Sequence, residues 1–400
     1  MGMGRWIIAA IVLALASGCE QPPFPQAKVE AESRWTQSRA QVLCRIAENR
    51  LAAGQLDRAF QAAQQAVTLD EELRPARLVL AKVQIERGRY AAAIRALEKV
   101  IKADPKSAEA IYLLGVAQEK NGRLEEALAS YRRAYALDEA NLAAVKAAAE
   151  VLVALGQPRR AQIYVESYLP KADQDAGMYE LAGRLAMMSK EYAKATDHYQ
   201  HARDLDYKNL RYQEALGRAQ YFTGQYGHAL DTLEELARCK DYSAPTWLRM
   251  MVGDCYLAVG KPRRAFEAYY QASEQSPEVA RVWGSLAKSA LAMRDNARAI
   301  LAARKALQQE TDQLDALLVL GYALIREGQA AAAVETLKRA TAAHPRSSTA
   351  RCLLGRAHAA AGNHAESVRC YTAALQIDPQ NRMARELLSA ATGKELSRLD

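Results

Sequence analysis

The amino-acid sequence predicts an all-α protein, an α-solenoid of about ten helix-turn-helix hairpins. Three observations predict it. A small residue recurs at Ala59, Ala93, Ala127, Ala161, Ala195, Ala229, Ala265, Ala299, Ala333 and Ser367, 34 residues apart at every step except the 36 between Ala229 and Ala265. Twelve residues upstream of each stands a second small residue: Ala47, Ala81, Gly115, Ala149, Gly183, Gly217, Gly253, Ala287, Gly321 and Gly355. The stretches between are rich in Ala, Leu, Arg, Glu and Gln, which favour helix, and hold no strand-like alternation of β-branched residues. Self-similarity at a fixed period of this length marks supersecondary units that stack in a row.

The first element is a leader. Arg5 is followed by an apolar stretch from Trp6 to Ala16 and then by Ala16-Ser17-Gly18-Cys19. The stretch is shorter than the roughly 20 residues that span a bilayer and suits the core of a signal peptide over residues 1–18. Small residues ending at a cysteine resemble a bacterial lipobox, although Ala16 stands where a branched residue is usual. That resemblance implies that Cys19 is lipidated and becomes the first residue of the mature chain, anchored to a membrane. Residues 19–39 then read as the lipidated cysteine and an extended tether, because prolines such as those in Glu20-Gln21-Pro22-Pro23-Phe24-Pro25 resist helix. Trp35 is expected to close the near end of the stack.

The hairpins follow over residues 40–381, starting near 40, 74, 108, 142, 176, 210, 246, 280, 314 and 348. The paired small residues are expected to let two antiparallel helices approach, with Leu114, Leu124 and Tyr131 among the apolar residues around them. A glycine marks the turn inside eight of the hairpins, where a helix ends in a left-handed residue; Lys190 and Arg294 hold that place in the other two. Pro158 and Pro262 fall in the first turn of a second helix, where a missing N–H costs little. Asp104-Pro105, Ser276-Pro277, His344-Pro345 and Asp378-Pro379 stop second helices. Repeat four departs from the pattern at Tyr168-Leu169-Pro170-Lys171, and two extra residues near Ser243-Ala244-Pro245 lengthen the link before repeat seven. Residues 382–400 read as a helix that caps the last apolar face.

In repeat three the pattern runs Ile111, Leu114, Gly115, Gly122, Leu124, Ala127, Tyr131 and Ala134. It resembles the tetratricopeptide repeat family, and the lipobox makes the chain similar to the bacterial lipoproteins that carry such repeats. The resemblance covers residues 40–381. It implies a right-handed superhelix whose concave groove, lined mainly by first helices, takes a protein or peptide partner. The groove positions it carries onto the middle of this chain are Glu180, Arg184, Met187, Glu214, Arg218, Tyr221, Trp247, Met250 and Asp254. Arg, Met and large aromatic residues are also what interface cores favour. Members of the family that hold a C-terminal carboxylate use a Lys-x-x-x-Asn pair; here Lys146 is followed by Glu150, whose charge would repel that carboxylate.

Nothing in the sequence calls for chemistry. There is no phosphate-binding glycine loop, nucleophile elbow or His-Glu-x-x-His. His198 and His201 lie three apart on a helix, with Asp197 and Asp204 near, and without a convincing third ligand they read as surface residues. The cysteines after Cys19 (Cys44, Cys239, Cys255, Cys352 and Cys370) are odd in number and widely spaced, so buried free thiols are preferred over a disulfide framework or zinc site. The net charge of +8 is spread along the chain among acidic residues, as on a solvated surface. No catalytic residue, cofactor, metal, nucleic acid or small-molecule substrate is expected. The reading is a lipid-anchored scaffold of a bacterial cell envelope, facing the periplasm or exterior. By analogy with the family it would serve an exopolysaccharide exporter, a pilus or outer-membrane machinery. The alternative is a solenoid that binds polysaccharide or peptidoglycan on groove aromatics.

Overall fold

The computed structural model describes residues 24–239 and 242–393. Residues 1–18, expected to form a signal peptide, Cys19 and the residues after Gly393 lie outside the described residues. Within them every regular element is a helix, and none is long and apolar enough to cross a membrane. The chain folds as an α-solenoid in two compact units that divide between Asp173 and Gln174.

The first unit holds four hairpins: α1 (Phe24–Ala52) with α2 (Leu56–Leu69), α3 (Arg74–Glu86) with α4 (Tyr90–Ala103), α5 (Ala108–Lys120) with α6 (Leu124–Leu137), and α7 (Leu142–Ala154) with α8 (Pro158–Tyr168). The second unit opens with α9 (Ala176–Met188) and α10 (Tyr192–Leu205), then α11 (Leu210–Thr223) and α12 (Tyr226–Arg238). It continues with α13 (Thr246–Ala258) and α14 (Pro262–Gln275), then α15 (Ala280–Ala292) and α16 (Asn296–Gln309). The last pairs are α17 (Leu314–Arg326) with α18 (Ala330–Ala343) and α19 (Ser348–Ala360) with α20 (His364–Ile377), followed by α21 (Arg382–Thr392). In both units each helix packs on its neighbours in sequence.

All twenty small positions are buried, and the packing explains why they are small. In repeat three, a Cβ added to Gly115 would stand 2.7 Å from the Tyr131 ring, far inside van der Waals contact. In repeat seven the Tyr269 ring takes the same place over Gly253, at 2.5 Å. The second helix thus adjusts to the first: sixteen residues after a glycine stands a tyrosine, at Tyr131, Tyr199, Tyr269 and Tyr371, or a leucine, at Leu233 and Leu337. Where the first residue is alanine, its partner in register is the smaller Ala63, Leu97, Val165 or Ala303. The bulkiest plugs thus stand only over glycine, where a larger residue would leave no room for them.

The hairpin turn is set by backbone conformation. Gly122 and Gly156 have φ of 79° and 74°, a region that costs an L-residue steric energy. Lys190 and Arg294 adopt it as well, at 59° and 63°, because the flanking helices fix the turn whatever residue fills it.

Two readings at the ends are corrected. The tether assigned to residues 19–39 is helical from Phe24 onward. Pro25 sits in the first turn, where no intrahelical N–H bond is needed, and residues 26–39 contain no breaker. Trp35 does not close the stack; it is 65% exposed on this projecting part of α1. At the other end α21 stops at Thr392, where Gly393 turns left-handed (φ 66°). Its Ala384 is buried, and Arg385 donates to the Pro379 carbonyl at 2.8 Å, as Arg351 of α19 donates to that of Pro345 at 3.2 Å. It packs as the first helix of a hairpin does.

Candidate protein-binding surface

Successive first helices α9, α11 and α13 carry all nine positions expected to face a partner. Helical spacing puts residues 180, 184 and 187 on one face of α9, with 214, 218 and 221 on α11 and 247, 250 and 254 on α13. The structure joins most of them into pairs. Glu180 and Arg184 form an i,i+4 ion pair at 3.7 Å. The Arg218 guanidinium lies over the Trp247 ring, 5.4 Å from its centroid, and both side chains are exposed. The Tyr221 hydroxyl donates to Asp254 Oδ2 at 3.2 Å, and the Tyr269 hydroxyl donates to Asp254 Oδ1 at 2.5 Å. One carboxylate therefore ties α11, α13 and α14 together. Burial and the Asp254 charge push the Tyr221 phenol up to about 12, so it is a neutral donor at physiological pH. Glu214 accepts from the Tyr242 hydroxyl at 2.9 Å, and burial together with that carboxylate pushes the Tyr242 phenol up.

One expected contact is corrected. Met250 is 9% exposed and belongs to the hydrophobic core. It shares a helix face with Trp247 and Asp254, but the side of that face toward the next helix is covered. Met187 is half-buried against the core around Tyr199 and Leu216.

Aromatic residues not named from the sequence complete the surface. Phe222 is 46% exposed and stacks on Tyr192 at 5.3 Å, while Tyr221 meets Phe222 and Tyr226 edge-on at 5.2 and 5.9 Å. Phe222 lies one turn beyond Arg218, a spacing that places both on the same face, so the signal for it was present. Tyr192, Tyr226 and Tyr242 come from other helices and links, and nothing in the spacing of the first helices points to them.

The arrangement suits recognition. Exposed rings with fixed orientation, one already capped by a guanidinium, are the side chains that dominate binding energies at interfaces. His198 and His201 lie against Tyr179, the latter ring stacked at 5.1 Å. Among the described residues no three His, Cys, Asp or Glu side chains gather as metal ligands. The five described cysteines are free, and Cys44, Cys255 and Cys352 are buried. Burial raises the Cys255 thiol to about 12 and that of Cys352 to about 11, which leaves little nucleophilic thiolate at neutral pH.

Profiles of the tetratricopeptide repeat match residues 78–141, 119–185, 210–235, 251–316 and 318–382, well over half of the chain. No curated protein matches it in sequence. Among solved structures the chain is similar to the Cut9–Hcn1 hetero-tetramer of the APC/C, with 14% identity and a TM-score of 0.45 over 88% of this chain and 76% of that one. It is also similar to a tetratricopeptide repeat protein from Parabacteroides merdae (19%, TM-score 0.41, over 63% and 98%) and to MamA (19%, 0.38, over 41% and 95%).

Proposed function

Because the chain belongs to the tetratricopeptide repeat family, we propose that it is a lipid-anchored scaffold of the bacterial envelope that gathers partner proteins on the first helices of repeats five to seven. Tetratricopeptide repeats are protein-interaction modules, and the chain is a scaffold of that kind. Its place in the envelope is read from the leader over residues 1–18 and the cysteine that follows it, Cys19, and the work proposed for it is support of an assembly or export machine. An exopolysaccharide exporter, a pilus or outer-membrane machinery are the settings in view, on family analogy alone.

The observation that carries the binding surface is the exposed Arg218–Trp247 pair at 5.4 Å. The scaffold bears the entropic cost of orienting both side chains before a partner arrives, and preorganisation of this kind raises affinity. The test is a pull-down from detergent-solubilised envelope with the Arg218→Ala, Trp247→Ala double variant. Loss of a partner that the wild-type protein retains is the expected result; unchanged recovery sinks this surface. Retention of purified protein on a glycan matrix, lost in the same variant, would favour the saccharide-binding alternative. The anchor is tested separately: Cys19→Ser should abolish incorporation of labelled fatty acid and release the chain from the membrane fraction.

A further inference from the structure

A second apolar surface lies among the second helices of repeats seven and eight. An open trough of about 830 Å³ runs between α14 and α16, with α15 as its floor. Trp283 and Leu286 form the floor, Tyr270 and Phe266 stand on one wall, and Leu301 stands on the other. Tyr270 is 48% and Leu301 61% exposed. The Trp283 ring is fixed by its indole N–H, which donates to the Pro277 carbonyl at 2.7 Å.

The internal repeat supplies the control. The other nine repeats carry a polar or charged residue at the position of Tyr270, such as Gln64, Glu98, Arg132 and Glu234. Leu301 stands where Gln61, Arg95, Asp231 and Glu335 stand; Ala129 and Ile163 are the other apolar residues in that register. The scaffold therefore needs no apolar side chain at either place. Only the neighbouring repeats seven and eight put the two exceptions on facing walls. Apolar surface rimmed by charge, unexplained by packing, marks an interaction site.

We propose that this trough docks an amphipathic helix of a partner protein, with acidic residues along one flank and basic residues along the other. The rim states the complementarity. The α16 wall carries Arg298 and Lys305, whereas the α14 wall carries Glu267 and Glu274. Both cations presently cover rings: Lys305 Nζ lies 4.2 Å from the Trp283 centroid, and the Arg298 guanidinium lies 5.5 Å from that of Phe266. An acidic flank draws them off the rings, and the apolar face of the helix replaces them there. An apolar groove between helices is a usual seat for an amphipathic helix. A saccharide is the poorer occupant, since the trough has aliphatic Leu286 and Leu301 where stacking sugars need open ring faces and many hydrogen-bonding groups.

The test uses the full chain and a displayed library of helical peptides with a fixed Leu/Ile/Val face and flanks varied among Glu, Lys and Ser. The expected result is enrichment of peptides with one acidic and one basic flank. A purified winner should lose tenfold or more in affinity against Tyr270→Gln, Leu301→Gln and keep it against Arg218→Ala, Trp247→Ala. Gln64, Gln200 and Gln61 occupy the two positions in other repeats, so the glutamine variant is expected to fold, and an unchanged thermal transition confirms it. No enrichment, or winners indifferent to the glutamine changes, overturns the proposal. So does oligosaccharide binding that the glutamine variant abolishes, or a wild-type dimer in sedimentation that the variant dissociates, since either gives the trough a different occupant.

Discussion

Repeats three and four lie side by side in the first unit, and a tyrosine displaced by three residues separates them. In repeat three, Tyr131 fills the hollow over Gly115, its hydroxyl donates to Glu119 Oε2 at 2.7 Å, and Ser130 beside it donates to Gln118 Oε1 at 2.7 Å. The buried Ala134 follows, and α6 runs on to Leu137. In repeat four, Val165 holds the place of Tyr131 and Tyr168 the place of Ala134. There α8 ends at Tyr168, and Leu169–Lys171 tighten into a 3₁₀ turn. The displaced ring packs edge-on against Tyr135 at 4.8 Å and Tyr164 at 5.0 Å instead of entering a hairpin core. One residue type is a core plug at the first position and ends the helix in an aromatic cluster at the second. The lesson is that spacing along the helix, more than hydrophobicity, decides what a large ring does.

Exchanging the two residues should break the comparison most strongly. Ala134→Tyr forces a ring into a filled contact and should cost about 3 kcal/mol, the upper end of overpacking penalties. Tyr168→Ala loses two edge-on ring contacts and should cost only about 1–2 kcal/mol. Equilibrium denaturation of the two variants tests both, and equal losses would show that the positions are interchangeable.

Ionisation of the plugs gives the next largest effect. In repeats five and ten, burial first of all pushes Tyr199 and Tyr371 up to about 12 from an ordinary value of 10.0. The folded state favours the protonated phenol, so this stability is fully present below pH about 10 and is lost as pH rises toward 12. The loss is at most about 2.7 kcal/mol per plug. Unfolding free energies of the wild type and of Tyr199→Phe, Tyr371→Phe should therefore converge or cross across that window; a constant difference would sink the account. Repeat four has Val165 at this place and so has no plug there to ionise.

The hairpin turns should give the smallest effect and the same one in both repeats. Gly122→Ala and Gly156→Ala should each cost about 1 kcal/mol, because both turns are left-handed. Lys190→Gly should act in the opposite sense, stabilising by about 0.5–1 kcal/mol as strain is released. Unequal alanine costs would place part of the difference between repeats three and four at the turn instead of at the helix end.

Much of the architecture is legible because backbone approach and left-handed turns admit few residue types. Gly115 and Ala127 lie where the facing helix leaves little room, and Gly122 lies where the turn is left-handed, so their recurrence announces helix, turn and helix. The binding surface is less legible. Asp254 meets Tyr221 and Tyr269, 33 and 15 residues away, and no local pattern encodes that meeting. Met250 shares the spacing of Trp247, yet neighbouring helices bury it. The start of α1 was misread for a local reason: proline opposes the interior of a helix, and Pro25 lies in its first turn.

The amino-acid sequence by itself determined that this chain is a row of helical hairpins, where each one turns, and which residues are small. Those features depend on sterics within one hairpin, which a fixed period records. Only the tertiary structure decided which exposed rings are free, which carboxylates are already satisfied, and that Tyr270 and Leu301 face one trough. Those depend on side chains from different repeats meeting in space, and the distance between them is set by packing that no single repeat contains.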